Sequence, residues 1–494
     1  MSTNTQAAPN EYIKIKGQGC SDLDKHGDLV GSSDQIAGQK NFDIDLPSDK
    51  SLTHRFVIFA AMAEGESSLL NPSLGADCLA TRLAMEAFGA RFLERFLNGV
   101  CEWVVTSRGT KDWGNKDLVS IDAQNSGTTA RLLIGLGAGI PNLKFTISGD
   151  QSLSRRPMAR IVGPLVNLGA KINVLASHHT PLDPLDSRHE EYSKKVFLPI
   201  EVVGQSIKAF QLKTNVVSAQ VKSALLLAAS QAVGESTIEV PNGTRNHTEN
   251  IMKALGADLT QYEVSSDATK FKMKGPWIPP GFSVVIPKDP SAMAFFAVLA
   301  FLNPGMSIRC KGVLNNPGRL HFLRVLERSG LHVSCVPIAD SNCPGESIAD
   351  FEFKRCGEAK PIIIDASEVS EVIDEIPALA AAATACRGTS QFFGLQELRI
   401  KESDRLAAIK ELLELCGQKA EIIGDNLSIF PTDSRNSFSY SSDDHRMVMT
   451  ASILTLCAKG TSRIGQSNAV KVSFPGFFSE LAKIYTDYTD FSDI

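Results

Sequence analysis

Three short runs of this sequence concentrate groups that could move protons and hold anions. In SEVIDEIPALAAAA (370–383) the carboxylates Asp374 and Glu375 stand before an almost purely apolar helical run. In RIKESDRLAAIKELLELCG (399–417) Lys401, Glu402 and Arg405 crowd the entry to a helix whose apolar stripe is Leu406, Ile409, Leu412 and Leu413. In DKSLTHR (49–55) Lys50 and Arg55 flank the start of another apolar helix. Carboxylates set among cations suit acid–base work on an anionic small molecule, because the cations hold the ligand while the carboxylates exchange protons. Each run also has a plainer reading. Aspartate is a preferred helix cap, so position alone leaves Asp374 open between cap and base. The charges at 399–405 could equally form a solvated face with local pairs worth a few tenths of a kcal/mol. Ser403 reads as the cap of the helix that follows it.

Similar placements recur along the chain. Six apolar helices are predicted, and each opens on a polar or capping residue: Asp49, Ser126, Ser218, Asp289, Asp374 and Asp444. Free N–H groups and the macrodipole make such termini weakly attractive to anions. Cations lie beside them at Lys50, Arg55, Arg131, Lys222 and Arg446, and in the later loops at Arg155, Arg156, Arg245, Arg319, Lys401 and Arg405. Any one of these could be an ordinary surface side chain. Recurrence at equivalent points makes the set more telling. A cation about 4 Å from a phosphate oxygen contributes on the order of 4 kcal/mol at an effective dielectric near 20.

The elements that must position these groups repeat. The predicted helices are SLTHRFVIFAAMA (51–63), SGTTARLLIGLGAG (126–139), SAQVKSALLLAASQA (218–232), DPSAMAFFAVLAFL (289–302), DEIPALAAAATAC (374–386) and DHRMVMTASILTLCA (444–458). A turn and strand follow each, and a second helix then ends in five cases at a glycine before another strand, as in AFGARF and RSGLHV. The first helices are apolar nearly all round and are therefore expected to be buried. From turn to turn the spacing runs from 71 residues (Gly234 to Gly305) to 93 (Pro141 to Gly234), longer than solenoid periods of roughly 20–50. Each unit thus reads as a strand–helix–strand–helix–strand block, and three blocks make a domain. The middle break falls near KDP (288–290), with Asp289 as cap and Pro290 at the first helical position. Residues 1–40 and 175–197 read as polar surface embellishments. His178, His179 and His189 in the latter lack partner spacing for a metal, and a solvated loop is the better reading.

Length and charge agree with this picture. A chain of 494 residues suits two large domains, and 43% hydrophobic with 21% charged residues is the composition of a soluble globular protein. A net charge of −5 offers no global basic field to nucleic acid or a membrane surface. The ten cysteines form no C-x-x-C and no zinc-spaced group, which favours a reducing compartment without a structural metal. No apolar run reaches the roughly 18 residues of a spanning helix. The N-terminus lacks a signal-type apolar core and has no arginine before Arg55, so cytoplasm is the expected compartment.

An ordered set of motifs resembles the 5-enolpyruvylshikimate-3-phosphate synthases over about residues 42–480. They are DKSLTHR (49–55), NSGTTAR (125–131), GDQSLSRRP (149–157), SAQVKSALL (218–226), RNHTE (245–249), IDEIP (373–377), KESDR (401–405) and DHRM (444–447). S-A-Q-x-K with R-x-H-T-E resembles the subgroup called class II. The resemblance implies an α/β fold of two similar domains, each of three βαβαββ units with buried parallel helices and outer sheets, an inside-out α/β barrel. It places 49–288 in the first domain and joins 1–48 to 289–494 in the second, with the inner helix N-termini facing a cleft that closes on substrate.

The implied reaction moves the enolpyruvyl group of phosphoenolpyruvate to the 5-hydroxyl of shikimate 3-phosphate, releasing phosphate. It needs no metal or cofactor. By resemblance Lys50, Ser51, Arg55, Ser218, Gln220, Arg245, Asp374 and Lys401 contact shikimate 3-phosphate. Lys50, Gly127, Arg156, Gln220, Arg405 and Arg446 contact phosphoenolpyruvate. Asp374 is the expected acceptor of the hydroxyl proton and Glu402 the donor to the methylene carbon, while Lys50 resembles a lysine able to shuttle a proton, so the acid–base split between Lys50 and Glu402 stays open. For Glu402 to hold a proton near neutrality its pKa must be raised, although nearby cations push it down. A monomer with these two substrates is expected, without nucleic acid or membrane partners.

The sequence departs from the family pattern in two places. AVKVSFP (469–475) puts Val472 where some members carry a lysine, with Lys471 one residue early and outside the expected site. Ala219 replaces a serine. Gly127 is retained where alanine crowds the inhibitor glyphosate in the family, so at least partial sensitivity is expected. Inhibition absent at millimolar glyphosate and subsaturating phosphoenolpyruvate would contradict it. Three alternatives fit the sequence less well. A UDP-N-acetylglucosamine enolpyruvyl transferase needs an activated loop cysteine, and neither Cys78 nor Cys101 lies in a suitable loop. A non-catalytic phosphometabolite-binding homologue would be expected to lose Asp374, Glu402 or Lys50. RNA binding is disfavoured by net charge and by only three tryptophans and six tyrosines.

Overall fold

The computed structural model describes residues 12–18, 40–115, 117–175, 196–339 and 341–484. Most of residues 1–40, and most of the 175–197 segment with its three histidines, lie outside the described residues. The six apolar runs form the helices Lys50–Met62, Gly127–Ala138, Ala219–Gln231, Pro290–Leu302, Ile376–Ala383 and His445–Cys457. All are mostly buried, and in Pro290–Leu302 every residue is. Helices with no polar face can be accommodated only by packing on all sides. The packing is close enough that a methyl group added at Gly135 would lie 2.4 Å from the carbonyl oxygen of Ala224 on the neighbouring helix.

Sheets form the outer layer. In the second unit Val119–Asp122 leads to the inner helix, and Lys144–Ser148 returns parallel to it. A second helix, Ala159–Asn167, then leads to Lys171–Val174 and Ile200–Val203, which pair antiparallel, the latter also lying antiparallel to Lys144–Ser148. The same order of one parallel and two antiparallel pairings builds five four-stranded sheets among the described residues. Strands such as Gly234–Pro241 alternate buried and less buried residues, because one face packs on helices and the other meets solvent. The five glycines ending second helices all have positive φ, from 81° at Gly417 to 118° at Gly89, the left-handed stop their position implies.

The sixth sheet corrects the reading of residues 1–40 as embellishment. Tyr12–Gln18 pairs antiparallel with Lys459–Gly465, from Tyr12 opposite Gly465 to Gln18 opposite Lys459. Ile13 and Ile15 point into the core while Tyr12, Lys14 and Lys16 stay exposed. The alternation in YIKIK carried this signal, and the polar residues around it obscured it.

The chain crosses between its two halves twice. Lys40–Ile44 precedes the first inner helix yet lies parallel to Met306–Leu314, after the fourth. Ser283–Val285 precedes the fourth inner helix yet lies parallel to Glu64–Leu70, after the first. The crossings run side by side, with Asp49 N–H donating to Pro287 O (2.7 Å) and Asp289 N–H to Pro47 O (2.9 Å). Buried apolar side chains gather in two clusters. One runs from Leu52 to Ile286 with Leu314, Cys343 and Ile348 added, and the other draws on Ile13–Leu46 and Ala292–Ile484.

Candidate active site

The inner helix N-termini are capped largely as their sequences imply. Asp49 accepts from Leu52 N–H, Ser126 from Thr129 N–H, Ser218 from Val221 N–H, Asp289 from Ser291 N–H and Asp444 from Arg446 N–H. Two expected caps differ. Glu375, not Asp374, is the residue at the cap position of Ile376–Ala383, and it makes no side-chain cap bond. The helix Arg405–Leu415 is capped by Asp404, which accepts from Ala407 N–H. Ser403 instead donates to Asp444 Oδ2 at 3.0 Å. Both differences have one cause: the residues nearest the charge cluster are drawn into it.

Asp374 is the centre of that cluster. Its carboxylate lies 3.0 Å from Arg245 Nη2, 3.4 Å from Lys401 Nζ and 3.7 Å from Arg405 Nη1, while its carbonyl accepts from Arg446 Nη1 at 2.6 Å. Burial alone would raise its pKa, but the charges of Lys401, Arg245, Arg446 and Arg405 hold it well below the usual carboxylate range. Its carboxylate is thus spent on cations, which removes the capping alternative.

Glu402 lies 2.7 Å from Arg405 Nη2 and 3.5 Å from Arg156 Nη1. Burial opposes its ionisation, yet Arg405, Arg156, His445 and Lys401 also hold it well below the carboxylate range. Of the two influences foreseen in the sequence, the cations win here. Arg405 is almost wholly enclosed. It makes a two-pronged contact with Asp444 (Nε to Oδ2 2.7 Å, Nη2 to Oδ1 3.2 Å), while Nη1 is buried without a hydrogen-bond partner.

The first half supplies the facing groups. Arg156 donates from Nη2 to Asn125 Oδ1 (2.7 Å) and Ser152 Oγ (3.2 Å), and its Nε is buried without a hydrogen-bond partner. Gly127 opens its helix beside Arg156. A Cβ there would lie 2.9 Å from Arg131 Nη1 and 3.6 Å from Arg156 Nη1, so the missing side chain leaves room for two guanidinium groups. Arg131 Nη1 donates to Gln220 Oε1 at 2.6 Å, and Gln220 Nε2 to Thr128 Oγ1 at 3.0 Å. Burial lowers the pKa of Arg131 to about 10, and the neighbouring charges of Arg156 and Arg160 add to that. Arg131 was visible in NSGTTAR, one helical turn beyond Gly127, but was not assigned to the site.

Lys50 is the first residue of its helix, with its N–H donating to Asp289 Oδ2 (3.2 Å) and its ammonium paired with Asp77. Burial is the largest influence on the Lys50 pKa and pulls it down, but the charge and hydrogen bond of Asp77, together with Cys78 and Glu402, leave it raised. Asp77→Asn should therefore leave burial in control and lower the Lys50 pKa. If turnover needs the ammonium form, the alkaline limb of the kcat–pH profile should move to lower pH by about 1 unit or more. An unmoved limb would separate Asp77 from Lys50 function.

Other expected residues lie deeper. Arg55 donates to Thr248 Oγ1, Ser51 O and Ser223 Oγ, and burial lowers its pKa to about 10. Ser51 and Ser218 are partly buried. His445, which was not assigned, is buried, with its pKa lowered to about 4 chiefly by desolvation. Lys222 forms a buried pair with Glu249 at 2.6 Å and serves the core.

The assembled set is bilateral. Arg245 and Arg156 meet Asp374 and Glu402 across the two halves, and at the rim Arg160 Nη2 lies 3.0 Å from Glu397 Oε1. Among the described residues no group of three or more His, Cys, Asp or Glu could hold a metal. Burial pushes the Cys78 thiol up, away from an activated thiolate, and the Cys101 thiol is raised as well.

Residues 36–481 match the family model EPSP synthase (3-phosphoshikimate 1-carboxyvinyltransferase). A 3-phosphoshikimate 1-carboxyvinyltransferase of Synechocystis sp. is 35% identical over 440 residues, covering 89% of this chain and 92% of that one. One from Pelotomaculum thermopropionicum is 34% identical over 461 residues, covering 93% and 99%. The EPSP synthase structure from Acinetobacter baumannii superposes with a TM-score of 0.75 at 28% identity, over 96% of this chain and 98% of that one. An enolpyruvyl transferase from Streptomyces tendae shares the fold at 12% identity, with a TM-score of 0.63 and coverage of 97% and 98%.

Proposed function

The chain belongs to the EPSP synthase family, and on that premise we propose how its cleft divides the work of enolpyruvyl transfer. The enzyme transfers the enolpyruvyl group of phosphoenolpyruvate to the 5-hydroxyl of shikimate 3-phosphate and releases phosphate, a step of aromatic amino acid biosynthesis. The observation that carries the assignment of residues is the meeting of two carboxylates of one half, Asp374 and Glu402, with guanidinium groups of the other.

In the first step Glu402 donates a proton to C3 of phosphoenolpyruvate while the 5-hydroxyl oxygen bonds to C2 and its proton passes to Asp374. The tetrahedral adduct then breaks its C2–phosphate oxygen bond, and the new methyl group returns a proton. Lys50 lies beside both substrates and shares the proton traffic. Ser51, Arg55, Ser218, Gln220, Arg245 and Lys401 hold shikimate 3-phosphate. Gly127, Arg156, Gln220, Arg405 and Arg446 hold phosphoenolpyruvate, whose charge occupies the open donors of Arg156 and Arg405. The same anionic charge offsets the cations that depress Glu402 and so raises its pKa toward that of a proton donor. Asp374 gains basicity in the same way when phosphate draws on Arg245 and Lys401.

Residues 49–288 form one domain and 1–48 with 289–494 the other in this reading, supported by the exchanged strands and the two apolar clusters. The working form is a cytoplasmic monomer. No helix among the described residues is long and apolar enough to cross a membrane. Addition and elimination can be tested with both substrates in D2O. Deuterium should enter the product methylene, because the methyl group formed on addition loses one of three hydrogens. A product free of deuterium would contradict protonation at C3 to a freely rotating methyl group.

A further inference from the structure

We propose that Arg319 is a positioning residue that ties the two chain crossings together and thereby fixes where Lys50 of one half sits relative to Asp374 of the other. Arg319 ends the short 3-10 turn Pro317–Arg319, which Asn316 caps by accepting from Gly318 N–H at 2.9 Å. Its side chain is 2% exposed and points into the junction of the halves. Nη1 donates to Asp49 Oδ2 at 2.9 Å and Nη2 to Asp289 Oδ1 at 2.8 Å. These are the caps of the first and fourth inner helices, at the ends of the paired crossings. One planar cation therefore fixes both helix starts, a task suited to the fork of a guanidinium and not to a point charge.

Two paths lead from this clamp to the chemistry. Asp289 Oδ2 accepts from the N–H of Lys50, so the second-half cap also holds the first residue of the first-half helix. On the other side Arg319 Nη2 lies 3.1 Å from Ser291 Oγ, which donates to Glu375 Oε1 at 2.6 Å, next to Asp374 in sequence. Glu375 in turn faces Arg446 (3.5 Å) and Arg245 (3.8 Å). His247 Nε2 is 3.3 Å from Arg319 Nη1, and burial with Arg319 nearby keeps that ring neutral. Arg319 touches no reacting atom in this scheme. Its effect passes through Asp49, Asp289 and Ser291.

The test rests on the enolpyruvyl transfer reading and compares wild type, Arg319→Lys and Arg319→Met by phosphate release, with rates normalised to the folded fraction from circular dichroism. A lysine can satisfy one carboxylate but cannot bridge both. Small misplacements of reacting groups cost up to about 100-fold. We expect kcat to fall about 10-fold in Arg319→Lys and about 100-fold in Arg319→Met, with KM for each substrate within about threefold of wild type. Wild-type kcat per folded molecule in both variants, or a raised KM with kcat intact, would overturn the positioning role even if both variants melt earlier. Should Arg319→Met fail to fold, the Arg319→Lys kcat decides alone. Absence of phosphate release by the wild type would count against the transfer reading itself.

Discussion

Asp374→Asn should lower kcat by about 10³-fold, within the range of roughly 10²–10⁴ that a positioned acid–base group supplies. The amide keeps the shape of the carboxylate but cannot accept the proton of the 5-hydroxyl. Arg245 and Lys401, now without their carboxylate, remain to bind anions. KM for shikimate 3-phosphate should consequently rise little or fall. Stability should respond with a definite sign. The folded pKa of Asp374 is depressed by its four cations, so its stabilising contribution is present above the unfolded value of about 3.9 and is lost as pH falls through the folded pKa. The variant's stability deficit should thus be largest near neutrality and shrink in strong acid. Steady-state kinetics and denaturation at several pH values check both parts, and a kcat within tenfold of wild type would remove Asp374 from proton transfer.

Arg405→Met should cost about 3–5 kcal/mol in stability as well as activity, the range for breaking a buried pair. Arg405 is 1% exposed, and it is the shared partner of Asp444, which is fully enclosed, and of Glu402. Methionine fills the volume of the stem but leaves Asp444 without its guanidinium partner and Glu402 with Arg156 alone. Asp444→Asn in the same background should restore part of the stability and none of the turnover, because the cation proposed to bind phosphoenolpyruvate would still be missing. Urea denaturation with parallel kinetics separates the two effects. A loss below about 1 kcal/mol would place Arg405 among ordinary surface pairs.

The architecture was legible because the inner helices are apolar on every side and recur with the same following turn. Pro290–Leu302 could hardly be anything but a buried helix, and the glycine stops have one backbone solution. Tyr12–Gln18 was harder to see, since a strand of seven residues between polar stretches becomes informative only when its distant partner, Lys459–Gly465, is known. The site residues were legible as types and positions. Their partners were not. Whether Asp374 capped a helix or faced cations depended on Arg245, more than a hundred residues earlier, and sequence spacing carries no such distance. Ser403 was misread as a cap for the same reason, because Asp444 comes from another unit. Arg319 stands in the sequence as one more cation of the repeat, but its proposed role depends on two crossings that meet only in three dimensions. The repeat thus set out six equivalent helix starts, and the structure adds the pairs Arg245–Asp374 and Arg156–Glu402, which join residues far apart in the sequence.

The most direct measurement is phosphate release from phosphoenolpyruvate by the purified protein, with shikimate 3-phosphate or UDP-N-acetylglucosamine as the acceptor and Asp374→Ala as control. Release with shikimate 3-phosphate, absent with the sugar nucleotide and lost in the control, is the expected result. Release with the sugar nucleotide alone would contradict the assignment.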